Sequence, residues 1–321
     1  ATGLPALREA IAQQYAEQEG LHIEPARILI TPGASGALQL ILGALLDPGD
    51  EILLTDPGYP CNRHISLLLG AVSRALPVSA DNAYQPTADA LADAWQAQTR
   101  ALLLASPANP TGSLLSDAQL QALYSVVAQH NGHLILDEIY HGLVYERVAS
   151  SALHQGDDVF VVNSFSKYYG MTGWRVGWLV APPSHVAALE RLAQNLFIAP
   201  STLGQYAALA ALRPETRPEL ERRRAEFQKR RDFLLPALRA LGFVIRCEPA
   251  GAFYIYADAS RFTNDSYRFS LTLLEQAGVV VTPGIDFGEQ GARTHLRFAY
   301  TTSMPRLEEG VARLADFLAG C

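Results

Sequence analysis

The stretch VFVVNSFSKYYGMTGWRVGWLVA, residues 159–181, decides the fold. The β-branched, apolar runs at its two ends, 159–162 and 176–180, predict buried strands, and between them lies a polar segment carrying Lys167 and Arg175. A lysine between core strands needs a reason. Ammonium groups are rarely buried unless paired, and a desolvated lysine gives up its proton easily, so its amine becomes a nucleophile toward a carbonyl. Lys167 is therefore the candidate covalent anchor of a carbonyl-bearing cofactor. Ser164, Ser166 and Arg175 add two hydroxyls and a guanidinium, a set suited to a phosphate monoester beside an imine.

Outward toward the N-terminus, residues 101–105 form a fully apolar strand that runs into Ser106-Pro107-Ala108-Asn109-Pro110-Thr111-Gly112. The Asn109 amide can donate to an anionic oxygen, or it can serve only the backbone of an Asn-Pro turn. The strand 133–136 ends on Asp137. A carboxylate after so apolar a run is costly without a positive partner, and a protonated pyridine nitrogen is one. Tyr140 follows three residues later. Further upstream, 51–54 is a strand and Asp56 to Pro60 a turn, which puts Tyr59 at a strand's C-terminal end, where a flat aromatic can stack on a ring. Residues 27–30, the turn Thr31-Pro32-Gly33 and a helix from Ala34 to Leu46 make a strand–turn–helix junction. Such junctions aim free N–H groups and a helix dipole at one point, so Gly33, Ala34 and Ser35 are the candidate phosphate cradle. Leu4, Leu7, Ile11 and Tyr15 lie on one face of an opening helix, and 86–98 reads as another. Apolar strands alternating with helices indicate a mostly parallel sheet covered on both faces.

Toward the C-terminus, helical periodicity covers 184–196 and 203–212, and a long charged helix ended by Gly242 connects to a smaller lobe. This places a large domain at 1–212 and a small one at 213–321. In the small one, 251–256, 279–281 and 294–300 read as strands and 267–277 as a helix, an α+β arrangement. Arg297 interrupts a strand otherwise apolar and aromatic, where a guanidinium suits bidentate capture of a carboxylate.

The 321 residues, 49% of them apolar, are enough for two such cores. A net charge of −7 without a Lys/Arg block argues against a nucleic-acid partner, and the arginines at 222–224 and 230–231 alternate with acids as on a solvated helix face. Cys61, Cys247 and Cys321 are far apart and match no metal-ligand spacing, so reduced thiols, no metal and a cytoplasmic location are expected. No apolar run reaches membrane-spanning length, and the first residues do not form a signal peptide.

SFSKYYGMTGWRVGW, 164–178, resembles the lysine motif of the class I/II aminotransferases, pyridoxal 5'-phosphate (PLP) enzymes of fold type I. SPANPTG, 106–112, is similar to the family's S-x-x-N-P-T-G turn, Asp137-Glu138-Ile139-Tyr140 to its D-E-x-Y pattern, and residues 3–12 to its G-x-x-x-L-R-x-A-I-A segment. These motifs stand in the family's order over essentially the whole chain. The resemblance implies an α/β fold type I enzyme with PLP on Lys167 and its phosphate held by Gly33, Ala34, Ser35, Ser164, Ser166 and Arg175. Tyr59 would stack on the ring, Asp137 face its nitrogen, Asn109 and Tyr140 bind its phenolate, and Arg297 hold the substrate α-carboxylate. It also implies transfer of an amino group between an L-amino acid and a 2-oxo acid by a homodimer with shared active sites. Relatives carry an N-terminal arm and a tyrosine that reaches the neighbouring subunit's phosphate, and neither lies in these 321 residues. Aspartate-specific relatives supply an arginine from near 195–200; this loop has none, which favours an uncharged substrate side chain. A β-lyase, decarboxylase or cyclase could use the same residues, and the fold also serves PLP-sensing regulators behind a DNA-binding winged helix.

Overall fold

Strands built around continuous apolar runs need cover on both faces, and the computed structural model, which describes residues 1–320, places such strands in the middle of one sheet. In chain order its strands are β1 (Ile28–Thr31), β2 (Glu51–Asp56), β3 (Val72–Pro77), β4 (Thr99–Ala105), β5 (His133–Asp137), β6 (Phe160–Ser164) and β7 (Gly177–Val180). They form one sheet in the order β1-β7-β6-β5-β4-β2-β3. The pairs from β3 through β2, β4 and β5 to β6 are parallel, whereas β7 runs against both β6 and β1. The lysine segment is the cause. It turns back through a short 3-10 turn at Thr172–Trp174 with no crossover helix, and a parallel partner would need one.

Helices α1 (Pro5–Glu19), α2 (Gly33–Leu45), α3 (Pro60–Leu68), α4 (Ala88–Ala94), α5 (Asp117–Gln129), α6 (Val186–Leu196) and α7 (Thr202–Ala211) cover this sheet. Alternate strand residues serve opposite cores. Leu102, Leu104 and Val161 share a cluster with Leu7 of α1 and Leu123 of α5, while Leu103, Ile135 and Phe160 share one with Leu38 of α2 and Leu189 of α6. Ser116 begins α5 with a capping box closed by Gln119.

Helix α8 (Arg217–Ala240) leads to β8 (Tyr254–Asp258), α9 (Ser266–Thr272), β9 (Thr282–Pro283), β10 (His295–Ala299) and α10 (Met304–Ala319). β10 is central in an antiparallel sheet of order β8-β10-β9. Leu220 of α8 belongs to the core that holds α1, whereas Leu234 and Leu238 pack with Ile255, Leu296 and Phe298 in the small lobe.

Several boundaries differ from the sequence expectation. The strand placed at 251–256 starts at Tyr254, because 251–253 are committed to lobe contacts: Ala252 has φ 59° and its N–H donates to Leu143 O at 2.8 Å. Val279 to Val281 are not a strand; the pairing with β10 falls on Thr282 and Pro283. The helix expected over 86–98 spans only Ala88–Ala94, after which Trp95 turns to stack on His130 at 5.2 Å. The helix expected over 267–277 is α9 followed by a π turn, Leu273–Ala277.

Candidate active site

Parallel strands deliver the loops after them to one edge of a sheet, and β2, β4, β5 and β6 bring Tyr59, Asn109, Asp137 and Lys167 there. Arg297 arrives from the small lobe. Its Nη1 donates to Asn109 Oδ1 at 2.9 Å, and its Nη2 to Thr282 Oγ1 at 3.1 Å. Its Nε is buried without a partner. The guanidinium carbon lies 4.2 Å from the Tyr254 ring centroid and 4.8 Å from that of Phe287, so the charge is held in an aromatic slot. Both partners are neutral. A guanidinium so placed keeps an attraction for a carboxylate that nothing on the chain has yet used.

Lys167 follows β6 and is half-buried, with Nζ 5.7 Å from the Tyr140 ring centroid and 5.6 Å from that of Phe253. Burial lowers its pKa, Arg297 and Arg175 push the same way, and Asp137 opposes them. Asp137, at the end of β5, is buried, and burial pushes its carboxyl up to about 6 against the pull of the Ile139 N–H and of Lys167. Tyr140 lies in the turn after β5, and its hydroxyl is 3.1 Å from that of Tyr254. Burial, then Tyr254, raises its phenol well above the ordinary value. Tyr59 precedes α3 and remains 38% exposed, enough for a ring to lie against it.

Gly33, Ala34 and Ser35 form the first turn of α2, which has no side-chain cap at Pro32, so its leading N–H groups are free for an anion. Gly33 has φ 73°, and a Cβ there would come within 2.5 Å of Arg175 Nη2. The guanidinium thus lies beside the helix start. Ser164 and Ser166 are less direct candidates. Ser164 Oγ lies 3.0 Å from Ser166 Oγ and 3.2 Å from Val176 O, and it accepts the Ser166 N–H at 3.1 Å, so it braces the lysine turn.

Tyr254, Phe253, Thr282 and Phe287 escaped sequence reasoning. An aromatic run such as Phe253-Tyr254-Ile255-Tyr256 carries no sign of which face meets the other lobe, and Phe287 stands in a turn. A cavity of about 200 Å³ is lined by Asp56, Tyr59, Asn62, Asn109 and Phe287. A larger one, about 690 Å³, is lined by Tyr15, Glu19, His141, Tyr168 and Glu221 and includes neither Lys167 nor Arg297, so volume does not mark the chemistry here. Among the described residues no group of three or more His, Cys, Asp or Glu could hold a metal.

The donors fit PLP group by group. An amine of lowered pKa would suit the aldehyde, a buried carboxyl the pyridine nitrogen, an uncapped helix start beside an arginine the phosphate, and an amide with a phenol the ring oxygen.

The model of the aminotransferase class I and II family matches residues 1–314. The chain belongs to that family. A valine–pyruvate aminotransferase of Mycobacterium tuberculosis is 40% identical over 320 residues, 99% of this chain and 82% of that protein. The crystal structure of an aminotransferase from the same organism superimposes with a TM-score of 0.96 at 39% identity, covering 100% of this chain and 83% of the other. Thermus thermophilus aspartate aminotransferase with maleate gives 0.93 at 34% identity, over 98% and 82%. This class I and II aminotransferase is a PLP-dependent transaminase of fold type I, acting between an amino acid and a 2-oxo acid.

Proposed function

We propose that this aminotransferase runs its reaction on Lys167, with Asp137, Asn109, Tyr140 and Tyr59 around the PLP ring, the start of α2 with Ser164, Ser166 and Arg175 at the phosphate, and Arg297 on the substrate α-carboxylate. The observation that carries this reading is Arg297, a half-buried guanidinium with neutral partners and one buried, unpaired N–H, whose charge acts on the Lys167 amine and helps to lower its pKa. When bound, PLP supplies an electron sink for charge developing at the substrate Cα. Burial disfavours the ammonium form, so Lys167 Nζ is suited to take a proton from Cα and return it elsewhere. Asp137 keeps a negative charge at the far end of the ring. Arg297 fixes the substrate in two dimensions, and the Tyr254 and Phe287 rings exclude water from that contact.

An uncharged substrate side chain is part of the proposal, supported by the lack of an arginine in 195–200 and by the valine–pyruvate activity named for the Mycobacterium relative. So is a homodimer. Trp174, Leu196, Ile198, Leu203 and Tyr206 are exposed, and Gly204 of α7 sits against the Trp174 carbonyl, which gathers apolar surface beside the lysine turn. The large and small domains are divided at 212/213. Cys61 and Cys247 are free thiols, which supports a cytoplasmic setting; no described helix is long and apolar enough to cross a membrane.

The test is a half-reaction. PLP-loaded protein mixed with L-valine and other uncharged amino acids should yield pyridoxamine phosphate and the matching 2-oxo acid. Borohydride should fix a pyridoxyl group on the Lys167 peptide, and Lys167→Ala should lose both signals. Pyruvate and ammonia from a cysteine conjugate, without pyridoxamine phosphate, would show a lyase instead.

A further inference from the structure

Asp56, the last residue of β2, is buried where the lobes meet, and its carboxylate is satisfied by the backbone of the other lobe. The Glu289 N–H donates to Oδ1 and Oδ2, both at 3.0 Å, and the Gln290 N–H donates to Oδ1 at 3.3 Å. Successive N–H groups converging on one anion form a nest, here closed across 233 positions of sequence. The preceding residues are moored as well. The Gly58 N–H donates to Phe287 O at 2.8 Å, and Arg63 Nη2 to Asp286 O at 3.1 Å. A Cβ on Gly288 would fall inside the Asp56 carboxylate, so the approach requires glycine. Between these moorings stands Phe287, buried, with its ring against the Arg297 guanidinium.

We propose that Asp56 is a positioning residue for α-carboxylate recognition: by tying residues 286–290 to the large lobe it sets Phe287 as one wall of the slot that orients Arg297. The proposal rests on the assignment of Arg297 as the carboxylate-binding group. Asp56 acts through the turn, without contact to the substrate. Its loss leaves Arg297 charged but free to tilt, so affinity falls for ligands that carry a carboxylate and stays for those that do not.

Two fragments of valine separate these cases on the PLP-loaded full chain: 3-methylbutanoate, which keeps the carboxylate and has no amine, and isobutylamine, which keeps the amine and has no carboxylate. Dissociation constants come from the cofactor's absorbance, and hydrogen exchange at the Glu289 and Gln290 amides reports the mooring directly. In Asp56→Ala the affinity for 3-methylbutanoate should fall about tenfold, the scale of one charge-assisted hydrogen bond, with isobutylamine unchanged and both amides exchanging faster. Asp56→Asn, which keeps one acceptor oxygen, should lie between. If Asp56→Ala does not fold, Asp56→Asn and Gly288→Ala give the same reading. Adding Asp56→Ala to Arg297→Ala should change nothing further. A parallel loss for both fragments, or no loss for either, overturns the proposal. If Arg297→Ala leaves the ratio of the two constants unchanged, the carboxylate assignment itself fails; if it alters the ratio and the Asp56 variants do not, only the role of Asp56 fails.

Discussion

The Asn109 amide and the Arg297 guanidinium, 188 positions apart in the chain, meet through a 2.9 Å hydrogen bond, so one planar side chain borders both the proposed phenolate site and the proposed carboxylate site. Asn109→Ala should therefore disturb both at once. Removing a hydrogen bond to a charged group costs about 1.5–3 kcal/mol, so kcat/KM for an amino acid should fall at least about tenfold. The pH at which the bound cofactor changes colour should move in the same variant. A fall in kcat/KM with the spectrum unmoved would leave Asn109 as a support of Arg297 alone.

Asp137 gives a pH dependence with a definite sign. Its carboxyl is held up to about 6, so it is neutral below that pH and charged above it. Only the charged form can pair with a protonated pyridine nitrogen, and PLP affinity should increase as pH rises through about 6. Titrations from pH 5 to 8 should show this step in the parent protein and a flatter profile in Asp137→Asn.

Gly33→Ala tests the cradle. The new methyl would meet the Arg175 guanidinium and sit on backbone with φ 73°, where an L side chain is strained. Pyridoxal phosphate should bind at least about tenfold more weakly, a loss of about 1.4 kcal/mol, whereas pyridoxal without the phosphate should lose little. Equal losses for the two would point to general damage at the start of α2.

Acid stability should depend on His141. Burial holds its imidazole down to about 4, whereas in the unfolded chain it titrates near 6.5. Between these values the unfolded state binds the additional proton, so the stabilisation is complete above about 6.5 and is lost as pH falls toward 4. The effect reaches about 3 kcal/mol at its limit. Glu138 lies 3.4 Å from Nδ1, and burial raises its carboxyl well above the usual range. Denaturant midpoints measured from pH 7 to 4 should fall in the parent protein and fall less in His141→Gln.

Much of this could be read from the chain because its signals were local. Residues 101–105 of β4 and 134–136 of β5 are continuous apolar runs, followed by the polar Ser106 and Asp137, which gives both the strand and the edge where chemistry gathers. Lys167 and Asp137 announced themselves as charges that such a core does not tolerate unpaired. Phe287 and Tyr254 did not, because their role arises only when β10 brings Arg297 between them. Asp56 looked like an ordinary turn residue after β2, since the backbone groups that justify its burial belong to a distant segment. Strand ends in the small lobe shifted for a related reason: residues 251–253 serve the other lobe, and pattern within one segment cannot report that.

Helix α8 begins with Leu220 planted in the larger core and finishes with Leu234 and Leu238 planted in the smaller one. A rod rooted at both ends makes the thermal fates of the two bodies common, since neither can melt while the helix stays whole. Heating should accordingly give one calorimetric endotherm, and a nick near its middle should split that peak.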